Sequence, residues 1–241
     1  MNTNDAYKIR VDNLVMEDAG YECADGPMFS GKTKWLIGQT EDMERYAGFK
    51  SIVIRPDADF LHKSALASHD GVRLTIKQEF ISTTNPKEVL ALTDKYECFS
   101  FDEAQFYTSP EIVDTLQMLA FSGKRVMVDV LTFDYRGLPF NLSSLIIASA
   151  VKRIKFVAIC TVCGAQATMT QRLDELDKPV TYEDDLTVVG DEKQREDKKS
   201  SKVRRYTARC RRHHVLLSPT GERVIAMREG VYVPFSGYFS E

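Results

Sequence analysis

Eight consecutive residues near the start of the chain have the types and spacing of a phosphate-binding loop. The pattern G-x-x-x-x-G-K-[ST] is matched by Gly26, Pro27, Met28, Phe29, Ser30, Gly31, Lys32 and Thr33. In such a loop, backbone N–H groups face the phosphates, the lysine reaches the β- and γ-oxygens, and the hydroxyl binds magnesium. The helix that follows turns its positive end toward the same anion. The alternative is a chance match in a turn, and Asp25, just before the loop, is expected to repel phosphate slightly.

A second candidate site is the acidic pair Asp102 and Glu103, which directly follows the strand-like run Phe99-Ser100-Phe101. In P-loop enzymes an aspartate at this place holds magnesium through its ligand shell. The adjacent glutamate can orient or deprotonate the attacking group. A strand that ends in Asp-Glu is also common at ordinary solvated turns. Together with the phosphate loop, the pair favours phosphoryl transfer.

Three of the five cysteines lie at metal-ligand spacing. Cys160-x2-Cys163 and Cys210-x2-His213 give two ligand pairs, and a Cys₃His set suits a closed, tetrahedral structural zinc. Four protein ligands leave no open position for catalysis by the metal. His214 is a competing ligand, but His213 is favoured because its spacing mirrors that of the first pair. The alternative for Cys160 and Cys163 is a pair of buried thiols or a redox pair.

The remaining cysteines and histidines lack such spacing. Cys23 and Cys98 lie in apolar runs and are predicted to be core residues. His62 and His69 are predicted not to be metal ligands. Five cysteines are too few for a disulfide scaffold in a chain of this length, so we expect reduced thiols.

Alternating strand-like and helix-like segments must position these groups. Strands are predicted at 51–54, 98–101, 125–131 and 155–159, where short apolar runs occur. Helices are predicted from 33 to about 47 and after Ser109, with Ser109 as N-cap, Pro110 at the first helical position and Gly123 as the stop. Strand and helix in repetition predict an α/β fold with a parallel sheet covered by helices.

The composition limits the class of protein. The 241 residues carry a formal net charge of −3, with 32 Lys and Arg against 35 Asp and Glu, and 43% are hydrophobic. This permits a real core and lacks the positive charge of a dedicated nucleic-acid binder. The start of the chain has no apolar signal segment, and no run is long enough to span a bilayer. We expect a cytoplasmic protein that binds neither nucleic acid nor a membrane.

In their order and spacing, the motifs resemble those of the type II thymidine kinases, the cytosolic and bacterial kind. GPMFSGKT is nearly the phosphate loop of that family, and Asp-Glu-Ala-Gln-Phe at 102–106 resembles its Asp-Glu-x-Gln-Phe box. Further likenesses are Pro56-x2-Asp59, Ser68-His-Asp-Gly71, LTFDYRGLPF at 131–140, Thr170-x-Arg-Leu173, Val189-Gly190 and Tyr206-x3-Cys-Arg-x-His213. The resemblance covers about residues 20–214.

The resemblance implies that ATP and thymidine react to give ADP and thymidine monophosphate. It also implies a P-loop, three-layer αβα core around a parallel sheet, with a small zinc-binding lasso domain that closes over the nucleoside. We therefore expect four parts: a flexible N-terminal extension (1–18), a nucleotide-binding domain (19–158), a zinc and lasso domain (159–214) and a C-terminal extension without an assigned role (215–241). A charged insertion at about 192–205 is expected to alter closure of the lasso.

Roles follow from the resemblance residue by residue. Glu103 would be the base that accepts the 5′-hydroxyl proton. ATP and magnesium would be held by the phosphate loop, Asp102 and Gln105. The nucleoside would be contacted by Met28, Phe106, Leu131, Tyr135, Phe140, Thr170, Val188, Val189, Gly190 and Tyr206. The structural zinc would be held by Cys160, Cys163, Cys210 and His213. A homotetramer, and thymidine triphosphate as a feedback ligand, are implied in the same way.

Departures from the family pattern leave alternatives open. Leu61 stands where the family has an arginine, and its loss would reduce neutralisation of phosphate charge. Tyr135 replaces a phenylalanine. The alternative function is a catalytically impaired nucleotide-binding or regulatory paralogue of the same fold, and deoxyuridine is an alternative substrate. A zinc-dependent nucleic-acid ATPase is disfavoured by the acidic balance and by the length of the chain.

Overall fold

A six-stranded parallel sheet carries the start of the phosphate loop and the Asp-Glu pair. The computed structural model describes residues 20–58, 76–183, 205–228 and 231–234. The strands of the sheet are β1 (Glu22–Gly26), β2 (Ser51–Asp57), β3 (Gln78–Ser82), β4 (Cys98–Phe101), β5 (Arg125–Leu131) and β6 (Lys152–Lys155). Their order is β3-β2-β4-β5-β1-β6, and all neighbours run parallel. The predicted parallel α/β core is confirmed.

Helices cover both faces of this sheet. They are α1 (Lys32–Ala47), α2 (Glu111–Phe121) and α3 (Ser143–Ser149), with short 3₁₀ helices at Pro86–Leu92 and Ala104–Phe106. Because side chains alternate along a strand, Val126, Val128 and Val130 of β5 join the apolar core formed with α2 and α3. Met127, between them, packs with Leu36 of α1 on the other face. The helices and sheet thus form the three layers that the sequence predicts.

Ser100 and Glu22 are polar residues inside the sheet that have partners nearby. Ser100 interrupts the apolar run of β4, but it is buried and its hydroxyl lies 2.7 Å from that of Thr40 in α1. Glu22 in β1 forms ion pairs with Arg125 of β5 at 2.9 Å and with Lys152 of β6 at 3.2 Å. Helix α1 therefore compensates the polar group of β4, and the neighbouring strands β5 and β6 compensate that of β1.

Asp25, the acid before the phosphate loop, is neutralised within the sheet. Its Oδ1 accepts a hydrogen bond from Arg153 Nε at 2.5 Å, and its Oδ2 accepts from Thr132 Oγ1 at 2.8 Å. Burial acts to raise the pKa of this carboxyl, but the guanidinium and the hydroxyl outweigh it and lower the pKa. Asp25 also shares a face with Cys23, which packs on the side of α2 and α3. The expected repulsion of phosphate is therefore reduced by pairing and by orientation.

The start of α2 lies one residue later than predicted. Pro110 is the N-cap and the helix begins at Glu111. The N–H of Glu111 donates to the Ser109 hydroxyl at 3.3 Å. Ser109 thus still caps an N–H at this end of the helix. After the helix ends, Gly123 takes a φ of 79°, a left-handed conformation that stops the helix as the sequence predicts.

Short antiparallel sheets form a second compact unit. The first unit comprises the described residues 20–26, 31–58, 76–132 and 139–156, and the second comprises 27–30, 133–138, 157–183, 205–228 and 231–234. The strands of the second unit are β7 (Ala158–Ile159), β8 (Gln166–Ala167), β9 (Met169–Leu173), β10 (Arg205–Arg209), β11 (Leu216–Leu217), β12 (Arg223–Arg228) and β13 (Val231–Pro234). β7 pairs with β8, β9 with β10, and β12 with both β11 and β13. The four-part division predicted from the sequence stays a prediction.

The single strand predicted at 155–159 is wrong. β6 ends at Lys155, and the N–H of Phe156 bonds to the carbonyl of Asp25 in β1 at 2.7 Å. Ala158 and Ile159 pair instead with β8 in the second unit. The apolar run at 155–159 predicts one strand because a change of pairing partner along the chain does not alter the hydrophobicity of its residues.

Several predictions fall outside the described residues. They concern the extension at 1–18, Asp59, Leu61, His62, the segment 68–71 with His69, Val188, Val189, Gly190 and the insertion at 192–204. Within the described ranges, no helix has both the length and the apolar composition that a membrane span requires.

Leu119→Ala is expected to lower the free energy of unfolding by about 2–5 kcal/mol, because the side chain is fully buried in α2 and its loss leaves a cavity. Urea denaturation followed by circular dichroism measures this change. The control is Met118→Ala at the neighbouring position, which is 49% exposed and should cost no more than about 0.5 kcal/mol. Equal losses in both variants would contradict the assignment of the buried face of α2.

Candidate active site and metal centre

Three charged side chains form a row across the carboxyl ends of the central strands. Strands β2, β4 and β5 pair with one another up to one common register position. The next residue along the three strands is Arg55, Asp102 and Asp129, respectively. Because paired residues of parallel strands point to the same face, the three side chains share one face of the sheet. This edge is where open α/β sheets bind ligands. Arg55 Nε donates to Asp102 Oδ2 at 3.1 Å, and both side chains are almost completely buried.

Glu103, the predicted base, takes an uncommon backbone conformation beside this row. Its φ is 57°, in the left-handed region that residues other than glycine seldom adopt. Its N–H donates to Asp129 Oδ1 at 2.8 Å, and its carboxylate accepts a hydrogen bond from Gln105 Nε2. These two bonds hold both the backbone and the side chain of Glu103 next to Asp102.

Gln105 supports this arrangement from a buried position. Its Oε1 accepts the N–H of Leu131 at 3.0 Å, and its backbone carbonyl accepts from Asn141 Nδ2 at 3.1 Å. Its side-chain amide is therefore bonded to both Glu103 and the end of β5. The role in ATP or magnesium binding that the sequence suggested for Gln105 stays a prediction.

Burial and the charges of neighbouring carboxylates raise the pKa of both aspartates in the row. For Asp102, desolvation is the largest cause, followed by the charges of Asp129 and Glu103, and the neighbouring guanidinium offsets only part of the rise. For Asp129, desolvation and the charge of Glu103 raise the pKa to about 7, although Lys32 and the Thr33 side chain act to lower it. Within the described chain, Asp102 Oδ1 and Asp129 Oδ2 are buried without a hydrogen-bond partner. This donor set fits a bound magnesium ion.

The phosphate-loop residues of the first unit connect β1 to α1. Gly26 ends β1, and Gly31 precedes α1 with a φ of 92°, which glycine adopts without a steric penalty. Lys32 and Thr33 are the first two residues of α1, and only 8% of Lys32 is exposed. The lysine and the hydroxyl that the motif assigns to phosphate and magnesium therefore lie at the N-terminus of a helix.

The other four motif residues belong to the second unit. There the Ser30 hydroxyl donates to the Pro27 carbonyl at 2.8 Å, and Phe29 takes a φ of 64° with 43% of its surface exposed. The N–H of Met28 donates to Thr170 Oγ1 at 3.0 Å. Two residues predicted to contact the nucleoside, Met28 and Thr170, are thus brought together.

In the first unit, the predicted nucleoside residues Phe106, Leu131 and Phe140 are neighbours. The rings of Phe106 and Phe140 pack edge to face with centroids 5.4 Å apart. Leu131 ends β5, and the N–H of Phe140 returns to bond the carbonyl of Thr132 at 3.3 Å. The sequence placed these residues in one group, and the structure brings them together.

In the second unit, Tyr135 is buried against β9. Its hydroxyl lies 3.2 Å and 3.1 Å from the carbonyls of Thr181 and Tyr182, and the guanidinium of Arg172 lies 5.1 Å from its ring centroid. Tyr206 of β10 is opposite Arg172 in the β9–β10 register. The hydroxyl by which Tyr135 departs from the family's phenylalanine therefore has acceptors within reach.

The predicted metal ligands come together in the second unit. The donor atoms of Cys160, Cys163, Cys210 and His213 all lie within 4.8 Å of one another. His213 Nδ1 is 3.3 Å from the Cys210 sulfur and 3.8 Å from the Cys160 sulfur, and the sulfurs of Cys163 and Cys210 are 3.9 Å apart. A tetrahedron with Zn–S of about 2.3 Å and Zn–N of about 2.0 Å has edges of about 3.5–3.8 Å. The four side chains therefore fit a structural zinc ion.

The thiol of Cys160 is stabilised in the form that binds metal. Burial acts to raise its pKa, but the N–H groups of Cys210, Val162 and Cys163, together with the ring of His213, lower the pKa to about 5. A thiolate is the ligand form of cysteine. The Cys160, Cys163 and Cys210 thiols are all free.

His214, the competing ligand, has a different partner. Its Nε2 donates to the carbonyl of Tyr135 at 2.8 Å, and burial lowers the pKa of its imidazole. The geometry therefore favours His213 over His214, as the spacing of the two pairs predicts.

Arg55 and Asp129 are the charged residues of the site that the sequence reasoning missed. Arg55 directly follows the predicted strand at 51–54, and Asp129 lies within the predicted strand at 125–131; the sequence pattern indicates no role for either residue. They could have been recognised because they lie beside Asp102, at the same register position on the neighbouring strands. This arrangement depends on the strand order β2-β4-β5, which cannot be read from the sequence.

The protein is expected to carry about one zinc ion per chain when it is purified without chelator, because four ligands form a closed site. His213→Ala should lose most of this zinc, as elemental analysis by mass spectrometry would measure. His214→Ala is the matched control and should keep it. Retention of zinc in His213→Ala with its loss in His214→Ala would contradict the ligand assignment.

Comparisons with known proteins point to one family. A family model described as thymidine kinase matches residues 21–214. A thymidine kinase from Coprothermobacter proteolyticus (strain ATCC 35245 / DSM 5265 / OCM 4 / BT) is 34% identical over 202 residues, which cover 83% of this chain and 93% of that protein. Among solved structures, the replication initiator DnaA bound to AMPPCP and single-stranded DNA is 12% identical with a TM-score of 0.33. That likeness covers 65% of this chain and 47% of that one. The chain belongs to the thymidine kinase family.

Proposed function

We propose that this chain transfers the γ-phosphate of ATP to the 5′-hydroxyl of thymidine and releases ADP and thymidine monophosphate. The observation that carries the proposal is the position of Glu103, whose carboxylate is held beside Asp102 at the carboxyl edge of the sheet. Membership of the thymidine kinase family supplies the class of acceptor. We place the activity in pyrimidine salvage in the cytoplasm.

Alignment and charge neutralisation account for most of the catalysis of phosphoryl transfer. The backbone N–H groups of the phosphate loop and the Lys32 ammonium would hold the β- and γ-phosphates of ATP. The Thr33 hydroxyl and the Asp102 carboxylate would hold magnesium, which neutralises charge on the phosphate oxygens when it is bound. Desolvation at this edge of the sheet strengthens each of these interactions.

Glu103 would accept the proton that leaves the 5′-hydroxyl. A general base must sit within hydrogen-bond reach of that proton in one defined position. The bonds from its N–H to Asp129 and from Gln105 to its carboxylate restrict the motion of Glu103. Such restriction lowers the entropic part of the barrier.

The nucleoside-binding roles stay predictions for each unit. In the first unit they concern Phe106, Leu131 and Phe140, whose apolar and aromatic surfaces suit the ring and methyl group of thymine. In the second unit they concern Met28, Tyr135, Thr170 and Tyr206, and in the rest of the chain Val188, Val189 and Gly190. Deoxyuridine differs from thymidine by one methyl group, so the same surfaces would favour thymidine by a modest factor.

The remaining proposals follow from the family. Zinc bound by Cys160, Cys163, Cys210 and His213 would be structural, since four protein ligands complete its coordination. A homotetramer and feedback inhibition by thymidine triphosphate are further expectations. Sedimentation and inhibition measurements address them separately from catalysis.

The proposed reaction is tested by incubating the protein with ATP, magnesium and each of a panel of nucleosides, and following ADP release. Thymidine is expected to give the fastest turnover, with deoxyuridine second and ribonucleosides slow. Tight ATP binding without phosphorylation of any nucleoside would overturn the proposal. It would favour the impaired paralogue that Leu61, at the family's arginine position, suggests.

Glu103→Gln is expected to lower turnover by about 10²–10⁴-fold, because the amide cannot accept the proton. Thymidine binding, measured by calorimetry, should remain close to that of the unchanged protein. Glu88→Gln is a control at an exposed glutamate of the same sheet-bearing unit, and should leave turnover unchanged. Substantial residual turnover in Glu103→Gln would show that another group takes the proton.

A further inference from the structure

Asp129 is a buried carboxylate of the first unit, and the proposed reaction uses only one of its two oxygens, the one that accepts the Glu103 N–H. It lies in the central strand β5, only 1% exposed, in a run that is otherwise Val, Met and Leu apart from Arg125 at its start. Its Oδ1 accepts the N–H of Glu103 at 2.8 Å. Its Oδ2 is buried and has no hydrogen-bond partner within the described chain. A carboxylate held this way in an apolar strand costs stability unless a cation compensates it.

The neighbouring Asp102 has the same feature on one of its oxygens. Oδ2 of Asp102 is bonded to Arg55 at 3.1 Å, whereas Oδ1 is buried without a partner. Asp102 and Asp129 follow directly after paired residues of β4 and β5, on strands that lie about 4.8 Å apart in a parallel sheet. Two free carboxylate oxygens are thus offered from adjacent strands on one face.

Among the described residues, the charges near these oxygens leave a deficit of positive charge. Asp102, Glu103 and Asp129 bring three carboxylates, and Arg55 and Lys32 bring two cations. Lys32 is the motif lysine that serves phosphate, so ATP would draw its charge away from Asp129. A divalent cation is the group that compensates both the carboxylates and the incoming phosphates.

We propose that Asp129 is a second carboxylate ligand of the magnesium site, binding the metal through Oδ2 beside Oδ1 of Asp102 while its Oδ1 fixes the backbone of Glu103. Magnesium typically takes one or two carboxylates plus phosphate oxygens and water. The Thr33 hydroxyl, the phosphates of ATP and water would complete the shell. The inference rests on the proposed use of ATP and magnesium. It adds a ligand that neither the phosphate-loop motif nor the Asp-Glu pair predicts.

The dual position of Asp129 would couple metal binding to the base. One oxygen would bind the metal, and the other accepts the N–H of a residue in the left-handed conformation. A shift of this carboxylate would therefore move both groups. Such coupling would give the strained conformation of Glu103 a function, because the bond that compensates the strain would belong to the metal site.

Asp129→Asn separates the two roles, since its amide oxygen still accepts the Glu103 N–H while the charge is lost. Mn²⁺ binding to the full-length, zinc-bearing chain, followed by electron paramagnetic resonance with and without a non-hydrolysable ATP analogue, measures the effect. Mn²⁺ affinity is expected to fall by at least about 10-fold, since loss of a residue that only orients a ligand already costs about 10–100-fold. Melting temperatures report whether the variant is folded. If Asp129→Asn does not fold, Asp129→Ser, which removes the carboxylate and leaves a smaller polar side chain, is measured in its place.

The matched control is Asp25→Asn. Asp25 is an equally buried carboxylate on the adjacent strand β1, but both of its oxygens are bonded, to Arg153 and Thr132. This variant should lose stability and keep its affinity for Mn²⁺. Unchanged Mn²⁺ affinity in Asp129→Asn, with a loss in Asp102→Asn, would overturn the inference and leave Asp129 as a positioning residue for Glu103 alone. A different outcome is that Asp129→Asn loses Mn²⁺ affinity while the unchanged protein phosphorylates no nucleoside. That result would contradict the proposed function and leave the inference about Asp129 standing.

Discussion

The parallel pairing of β4 with β5 places Asp102 and Asp129 side by side at a buried edge, and the site is arranged around their charge. Arg55 reaches Asp102 from β2, and the N–H of Glu103 reaches Asp129 across the end of β4. Helix α1 begins nearby with Lys32, so that the positive end of a helix and an ammonium act on the same groups. Each contact places a positive charge or a hydrogen-bond donor beside a carboxylate. Without such a partner, a carboxylate buried in a region with little water would cost stability.

The same constraint explains why the strands of this sheet contain charged residues. Glu22 and Asp25 would be unfavourable in a buried strand that stood alone, but β5 and β6 on either side carry the arginines and lysine that pair with them. Asp25 in addition points to the face opposite α1. The local sequence of β1 therefore conflicts with strand propensity, and the conflict is resolved only by neighbours that are about 100–130 residues away in the chain.

The parts of the structure that depend on local pattern could be predicted from the sequence. The strands at 98–101 and 125–131 have the bounds expected from their apolar runs. Gly123 follows the end of α2 in a left-handed conformation that glycine adopts without support from distant residues. The Cys₃His set was found because ligand spacing is itself local. The strand at 155–159 was wrong since hydrophobicity does not reveal a change of partner, and the roles of Arg55 and Asp129 were missed since they depend on strand order.

The proposed mechanism requires that the γ-phosphate reaches the 5′-oxygen of thymidine with Glu103 as base. The most direct measurement is a ³¹P nuclear magnetic resonance time course with ATP, magnesium and thymidine. We predict that the γ-phosphate signal of ATP is replaced by that of a 5′-monophosphate ester, and that this conversion nearly stops in Glu103→Gln. Release of inorganic phosphate in place of the ester, or an unchanged rate in Glu103→Gln, would contradict it.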